Sequence, residues 1–332
     1  MEGEGAGRID VHHHILPPGY LAAIREAGLE FGIRFPPWRA EDSLELMDGH
    51  GIAVAVVSIS TPGVAFAGFS GPDGARHLAR QVNEWAAELV RDHPGRFGAL
   101  ATLPLPDVDA SLVETAHAFD VLGLDGVVLL ASVRGRYLGD RALEPLMAEL
   151  HRRRAVVFLH PTTPPGAPLA GLAIPVFAVE FMADTTRAIA NLILSGTLER
   201  HPGISFICAH AGGFAPYITD RLQAAWDGDP AARERAPAGP LAYLQRLRYD
   251  TAASVNRFTL PAVAALAGAG HLLLGTDFPF ASASQAASTV ERLAAVPGLT
   301  AAERRRIERD NAVALFPRFA WRVPGPGGGG AG

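Results

Sequence analysis

Ile9-Asp10-Val11-His12-His13-His14 sets three imidazoles and a carboxylate into a short run that otherwise reads as a β-strand. Side chains alternate across a strand with a period of two, so His12 and His14 point the same way and His13 points the other. Two imidazoles therefore converge on one point, and His13 falls to a structural role. Three later apolar runs end in the same manner. Ala155-Val156-Val157-Phe158-Leu159 stops at His160, Ile204-Ser205-Phe206-Ile207-Cys208-Ala209 stops at His210, and Leu272-Leu273-Leu274-Gly275-Thr276 stops at Asp277.

Outward from these runs, β-rich segments alternate with longer amphipathic Ala/Leu/Arg stretches, the pattern of βα units around a parallel sheet. Strands are predicted over 9–14, 53–60, 97–103, 126–130, 156–160, 204–210, 247–251 and 272–277. Helices are predicted over 40–49, 75–92, 108–122, 142–153, 184–194, 214–225, 256–268 and 285–293. Eight such units within 332 residues fit a single (β/α)8 TIM barrel, whose strand C-terminal ends build the active site. A doubly wound sheet would need a glycine-rich turn between the first strand and its helix, and none is present. The segment 17–39, with Pro17, Pro18, Pro36, Pro37 and Trp38, is a short insertion after strand 1, too irregular for a plain βα loop and read as a lid or small subdomain. A second irregular stretch covers 161–175. The expected organisation is a disordered tail over 1–7, one barrel domain over 8–322 and a disordered Gly-rich tail over 323–332.

Composition removes several functions. Hydrophobic residues are 48% of the chain and charged residues 19%, enough apolar material for a large core. All 29 basic residues are Arg, so phosphate-loop, Schiff-base and carboxylated lysines are excluded. A net charge of −5 without a basic stripe argues against a nucleic-acid partner. No apolar stretch reaches the twenty or so residues that span a bilayer, so no membrane association is expected. The lone Cys208 cannot form an internal disulfide and the start lacks a signal-peptide pattern, which points to a cytoplasmic protein.

Four strands thus deliver His12, His14, His160, His210 and Asp277 to one rim. A single strand-end histidine is usually a hydrogen-bonded rim residue, but this set makes a normal first shell for a divalent transition ion with a position left for water or substrate. Trp38, Phe66, Phe69 and Phe280 follow strands 1, 2 and 8 and are candidates to line a slot for a flat ring, against the commoner role of simple packing.

The strand-1 signature followed by Leu16-Pro17-Pro18, with the Leu159-His160-Pro161, Ala209-His210-Ala211-Gly212-Gly213 and Gly275-Thr276-Asp277-Phe278-Pro279 turns, resembles the amidohydrolase superfamily. More narrowly it resembles the branch named after α-amino-β-carboxymuconate-ε-semialdehyde decarboxylase, which also holds γ-resorcylate and 6-methylsalicylate decarboxylases. The likeness runs from about Arg8 to Phe316. It implies that His12, His14, His160 and Asp277 bind one Zn2+, or alternatively Mn2+, and that His210 stands beside the metal as a proton-handling group. Binuclear members of the superfamily commonly use a carboxylated lysine at the end of strand 4, where this chain has Val127-Val128-Leu129-Leu130-Ala131. Arg221, on the helix past the Gly212-Gly213 turn, resembles a substrate-carboxylate contact of its own or a neighbouring subunit. A plain arginine on a helix is otherwise a solvated ion-pair partner.

The activity expected is non-oxidative decarboxylation of a small aromatic or enol-type carboxylic acid such as a substituted salicylate, with Asp277 and His210 supplying the proton. The same first shell also supports a hydrolase or hydratase of a small lactone, amide or unsaturated acid, if the open position holds hydroxide. A non-catalytic barrel with structural histidines is a third reading, separable by metal analysis. A homodimer is expected from the resemblance and from the frequency of closed two-fold assemblies.

Overall fold

The computed structural model describes residues 7–28, 33–66, 71–164 and 174–322. Of the tails read over 1–7 and 323–332, residues 1–6 and 323–332 lie outside these residues, as do 29–32 of the insertion, 165–173 of the second irregular stretch and Phe69. Eight parallel strands form one sheet in the order β1 (Arg8–His14), β2 (Ile52–Ser58), β3 (Phe97–Thr102), β4 (Gly126–Leu130), β7 (Val156–His160), β8 (Ser205–Cys208), β9 (Arg248–Asp250) and β10 (Leu272–Leu273). A two-stranded hairpin, β5 (Ser132–Val133) with β6 (Arg136–Tyr137), follows β4. The helices are α1 (Pro18–Ala27), α2 (Ala40–Gly49), α3 (Gly71–Asp92), α4 (Val108–Asp120), α5 (Glu144–Arg152), α6 (Val176–Leu194), α7 (Thr197–Arg200), α8 (Thr219–Gly228), α9 (Pro230–Arg235), α10 (Pro240–Arg246), α11 (Thr259–Ala267), α12 (Ala283–Ala294), α13 (Ala301–Arg305) and α14 (Asn311–Leu315). This is the (β/α)8 barrel expected from the alternation.

The seam between the last and first strands carries the closure. Val11 N donates to Leu274 O at 2.9 Å, Asp277 N to His12 O at 2.8 Å and His14 N to Phe278 O at 2.7 Å. The residues after β10 therefore run alongside β1 although they are not regular strand. Inside, Ile9, Val11, Val54, Val56, Val128, Phe158 and Ile207 form one apolar cluster, plugged near the strand N-terminal ends by Phe316 and Phe319. The other strand faces, including Val57, Ala99, Val127 and Val157, pack with the surrounding helices into the larger cluster. That is the inside/outside alternation of a closed barrel.

One irregularity in β1 matters for the site. Between Asp10 and His13 the neighbouring strand advances from Ala55 to Val57, two residues against three. The extra residue lets Val11 fill the interior while His12, next along the chain, also faces inward, where its ring meets Phe158 at 4.9 Å. His13 points out, as predicted: its Nδ1 lies 2.9 Å from Asp10 Oδ2 and its Nε2 2.8 Å from Ser43 Oγ.

Among the boundaries that differ from expectation, two concern helices next to the irregular stretches. The segment 17–39 contains a regular ten-residue helix, α1, whose Tyr20, Ala23 and Ile24 are buried. Pro18 opens it at a first-turn position, where the missing N–H costs nothing. Helix α6 begins at Val176, eight residues before the predicted 184. Its first turns leave Phe177 (60%) and Val179 (42%) exposed, so no core-facing period marks them in the sequence.

Candidate metal centre

Each chemistry-bearing side chain sits at the C-terminal end of a strand because the apolar run beneath it fills the barrel. His12 and His14 close β1 and His160 closes β7. His210 lies two residues beyond β8 and Asp277 four beyond β10, in turns that the sequence reading had taken as strand. Both have positive φ, 54° and 63°. Extended structure therefore stops before them, and left-handed backbone at non-glycine residues is a strain that the surroundings must hold.

One ligand atom from each of His12, His14, His160 and Asp277 lies within 4.8 Å of the others, a group able to hold a metal ion. His12 Nε2 is 3.0 Å from His14 Nε2, and both are 3.2 Å from Asp277 Oδ1. The opposite nitrogen of each ring faces an oxygen acceptor. His12 Nδ1 is 2.6 Å from Asp250 Oδ2, His14 Nδ1 is 3.2 Å from Ser58 O, and His160 Nδ1 is 2.7 Å from Pro161 O. A proton on each Nδ1 leaves three Nε2 lone pairs and a carboxylate oxygen aimed at one place, the tautomers a metal requires. The residues present thus fit a tetrahedral or five-coordinate divalent ion of the Zn2+ or Mn2+ type.

Electrostatics follow from the crowding. Burial alone would depress His12, but Asp250 and Asp277 outweigh it and hold the imidazole up at about 10. Burial pushes His14 down, and drives His160 well down with help from the neighbouring imidazoles. Burial would raise Asp277, yet His12 beside it and hydrogen bonds from His12, His14 and His210 keep its carboxyl well below the usual range. A cation held between two carboxylates is what a divalent ion would displace, with release of a proton.

His210 is outside the four-donor group. Its Nε2 stands 3.5 Å from Asp277 Oδ2, and its Nδ1 is buried without a hydrogen-bond partner. Of the four aromatic candidates, Phe280 reaches the centre, with its ring 5.4 Å from that of His14. Trp38 instead donates to Ser43 Oγ at 2.8 Å and packs on Trp85, and Phe66 is buried in the core. A cavity of about 280 Å³ lies beyond the ends of β2, β4 and β7, lined by Pro62, Leu130, Ser132, Arg134 and Thr162 and by none of the four donor residues. Ser60 Oγ, after β2, is 3.5 Å from His160 Nε2. Arg221 is exposed on α8, with no ion pair among the described residues.

Asp250 is the residue that sequence reading missed. It ends β9, is fully buried, and besides His12 it accepts from His210 N at 2.9 Å and Ala252 N at 3.0 Å. The available signal was an acidic residue inside a predicted strand, where aspartate is disfavoured.

The amidohydrolase family model matches residues 9–318. The decarboxylase yanB of Aspergillus niger is 35% identical over 325 residues, covering 94% of this chain and 88% of the relative. The 6-methylsalicylic acid decarboxylase acuB of Aspergillus aculeatus is 35% identical over 324 residues, covering 94% and 96%. The solved 2,6-dihydroxybenzoate decarboxylase from Rhizobium superposes with a TM-score of 0.78 at 25% identity, covering 94% of this chain and 99% of that one.

Proposed function

The chain belongs to the amidohydrolase family, and from that premise we propose that it is a metal-dependent, non-oxidative decarboxylase of a small aromatic carboxylic acid such as a substituted salicylate. The observation that carries this is the meeting of three Nε2 atoms and Asp277 at the barrel mouth, in a chain whose similar relatives are named decarboxylases. Nothing in those relatives favours the hydrolase or hydratase alternative.

We assign His12, His14, His160 and Asp277 as the ligands of one Zn2+, with Mn2+ as the alternative. When bound, such an ion supplies positive charge that polarises the oxygens of the acid. The remaining work falls to the chain. Asp277 and His210, 3.5 Å apart, deliver a proton to the ring carbon that bears the carboxylate. The new C–H bond forms, the bond to the carboxyl carbon breaks, its electron pair returns to the ring and carbon dioxide leaves. Phe280 and Leu130 offer apolar surface beside the cluster and limit water there.

Arg221 is assigned to the substrate carboxylate of a neighbouring protomer, in a homodimer. Its exposure supports this, as does the apolar surface of Phe177 (60% exposed) on α6, Tyr217 (60%) in the segment 215–217 that packs on α6 and α11, and Phe258 (64%) just before α11. No helix among the described residues is long and apolar enough to cross a membrane. The buried, unpaired Cys208 suits the cytoplasm.

The test is a panel of hydroxybenzoic acids including 6-methylsalicylate, scored for carbon dioxide and decarboxylated product, with metal analysis on the same sample. Release from at least one acid, lost on chelation and restored by Zn2+ or Mn2+, is expected. Hydrolysis of lactones with no gas from any acid defeats the reading.

A further inference from the structure

We propose that Asp250 is the positioning residue of this centre, setting the tautomer of His12 and the backbone of His210 with one carboxylate. The inference rests on the metal-site reading above and concerns a residue outside the ligand set. Its two oxygens are committed to different partners. Oδ2 faces His12 Nδ1 at 2.6 Å, and Oδ1 accepts from His210 N at 2.9 Å and from Ala252 N at 3.0 Å. Asp250, His12 and His210 are all buried, the first two completely, so water does not stand in for a lost partner.

This division makes the side chain a switch for one proton. The backbone N–H groups of His210 and Ala252 require an acceptor at Oδ1. An asparagine at 250 keeps its carbonyl oxygen there, because the flipped amide would set its NH2 against two other donors. The NH2 then faces His12 Nδ1, which must become the acceptor, and the ring proton moves to Nε2. That atom is the one 3.0 Å from His14 Nε2 and 3.2 Å from Asp277 Oδ1. A change of one heavy atom, with no change in shape, thereby occupies a ligand lone pair. The same carboxylate fixes the left-handed backbone at His210, φ 54°, so the ligand and the proton-handling residue share one reference point.

The experiment is Zn2+ binding to metal-stripped wild type and Asp250→Asn, measured by competition with a chromophoric chelator, alongside circular dichroism and melting curves. The expected result is a Zn2+ affinity lower by about ten- to a hundredfold in a folded variant. A purely structural carboxylate lowers the melting temperature and leaves the affinity of the folded variant at the wild-type value, which overturns the proposal. If the variant does not fold, the wild type still decides. In Zn2+-loaded protein with 15N-labelled histidine, the His12 ring must show a proton on Nδ1 and none on Nε2, and the opposite tautomer refutes the assignment. A wild type that binds Zn2+ but releases no carbon dioxide from any acid overturns the functional reading alone.

Discussion

Replacing Gly275 with alanine adds one methyl group at a tightly packed point against His12 and Asp250. A Cβ at this position would lie 2.7 Å from His12 Cβ, 3.1 Å from Asp250 Cβ and 3.2 Å from Asp250 Cγ. Carbon atoms settle about 3.7 Å apart, so the His12 side chain must retreat by roughly 1 Å or the loop must shift by as much. None of the near atoms is the free end of a flexible side chain, and His12 is fully buried with Asp250 behind it. Overpacking of this kind costs about 1–3 kcal/mol of stability, and a misplacement near 1 Å in a catalytic group costs on the order of a hundredfold in rate. Gly275→Ala should therefore fold with a lowered melting temperature, bind Zn2+ more weakly and decarboxylate about a hundredfold more slowly. Steady-state carbon dioxide release at saturating Zn2+, with calorimetric melting, measures both effects. Gly49→Ala is the control, because a Cβ there meets nothing within 4 Å and it should leave rate and metal affinity unchanged. A Gly275→Ala protein with wild-type rate and Zn2+ affinity refutes the close packing of Gly275, His12 and Asp250 on which the argument stands.

Other perturbations reach other parts of the molecule. His210→Asn should retain one equivalent of Zn2+ while kcat falls about 10²–10⁴-fold with little change in KM, and a kcat within threefold of wild type removes His210 from proton handling. Arg221→Ala should raise KM for the acid, and a refolded mixture with His210→Asn should recover about a quarter of wild-type activity from hybrid two-fold dimers. Absence of recovery assigns Arg221 to its own subunit or to no site. Far from the centre, Arg200 holds the Glu144 carboxyl down, against burial and with help from His201, at about 2 from an ordinary 4.5. Its contribution is fully present above 4.5 and is lost as pH falls through about 2. Both side chains are more than a third exposed, so Glu144→Gln should cost only about 1 kcal/mol near neutrality. The variant and wild-type melting temperatures should converge near the acid end, and parallel curves across the range contradict the assignment.

The parts of this site that were legible in the sequence are those where chemistry interrupts a strong period. His12, His14, His160 and Asp277 stand out because each ends or punctuates an apolar run. The eight strands were found because barrel strands are buried on both faces and read as continuous Val/Ile/Leu segments. The extra residue in β1 is a different matter. Strict alternation predicted that His12 and His14 share a face, and they do, but it gave no sign that Val11 shares it too. Asp250 escaped because its partners are distant in sequence: His12 is 238 positions away and His210 is 40. The early turns of α6 escaped because their apolar side chains face outward, so burial imposes no period on them. His210 and Asp277 were placed on the right rim but in the wrong backbone, since positive φ at a non-glycine residue is imposed by tertiary contacts and leaves no local mark.

The seam where Thr276 and Asp277 run beside His12 joins residues about 265 positions apart. While the polypeptide is being made, the histidines of β1 emerge about 265 residues before the carboxylate that meets them. An ion captured there would act as a rivet across the last joint of the cylinder. Catalytic competence would then arise only in molecules that have finished closing, and a nascent or nicked chain lacking the final staves would be inert, whatever the quality of the rest of its fold.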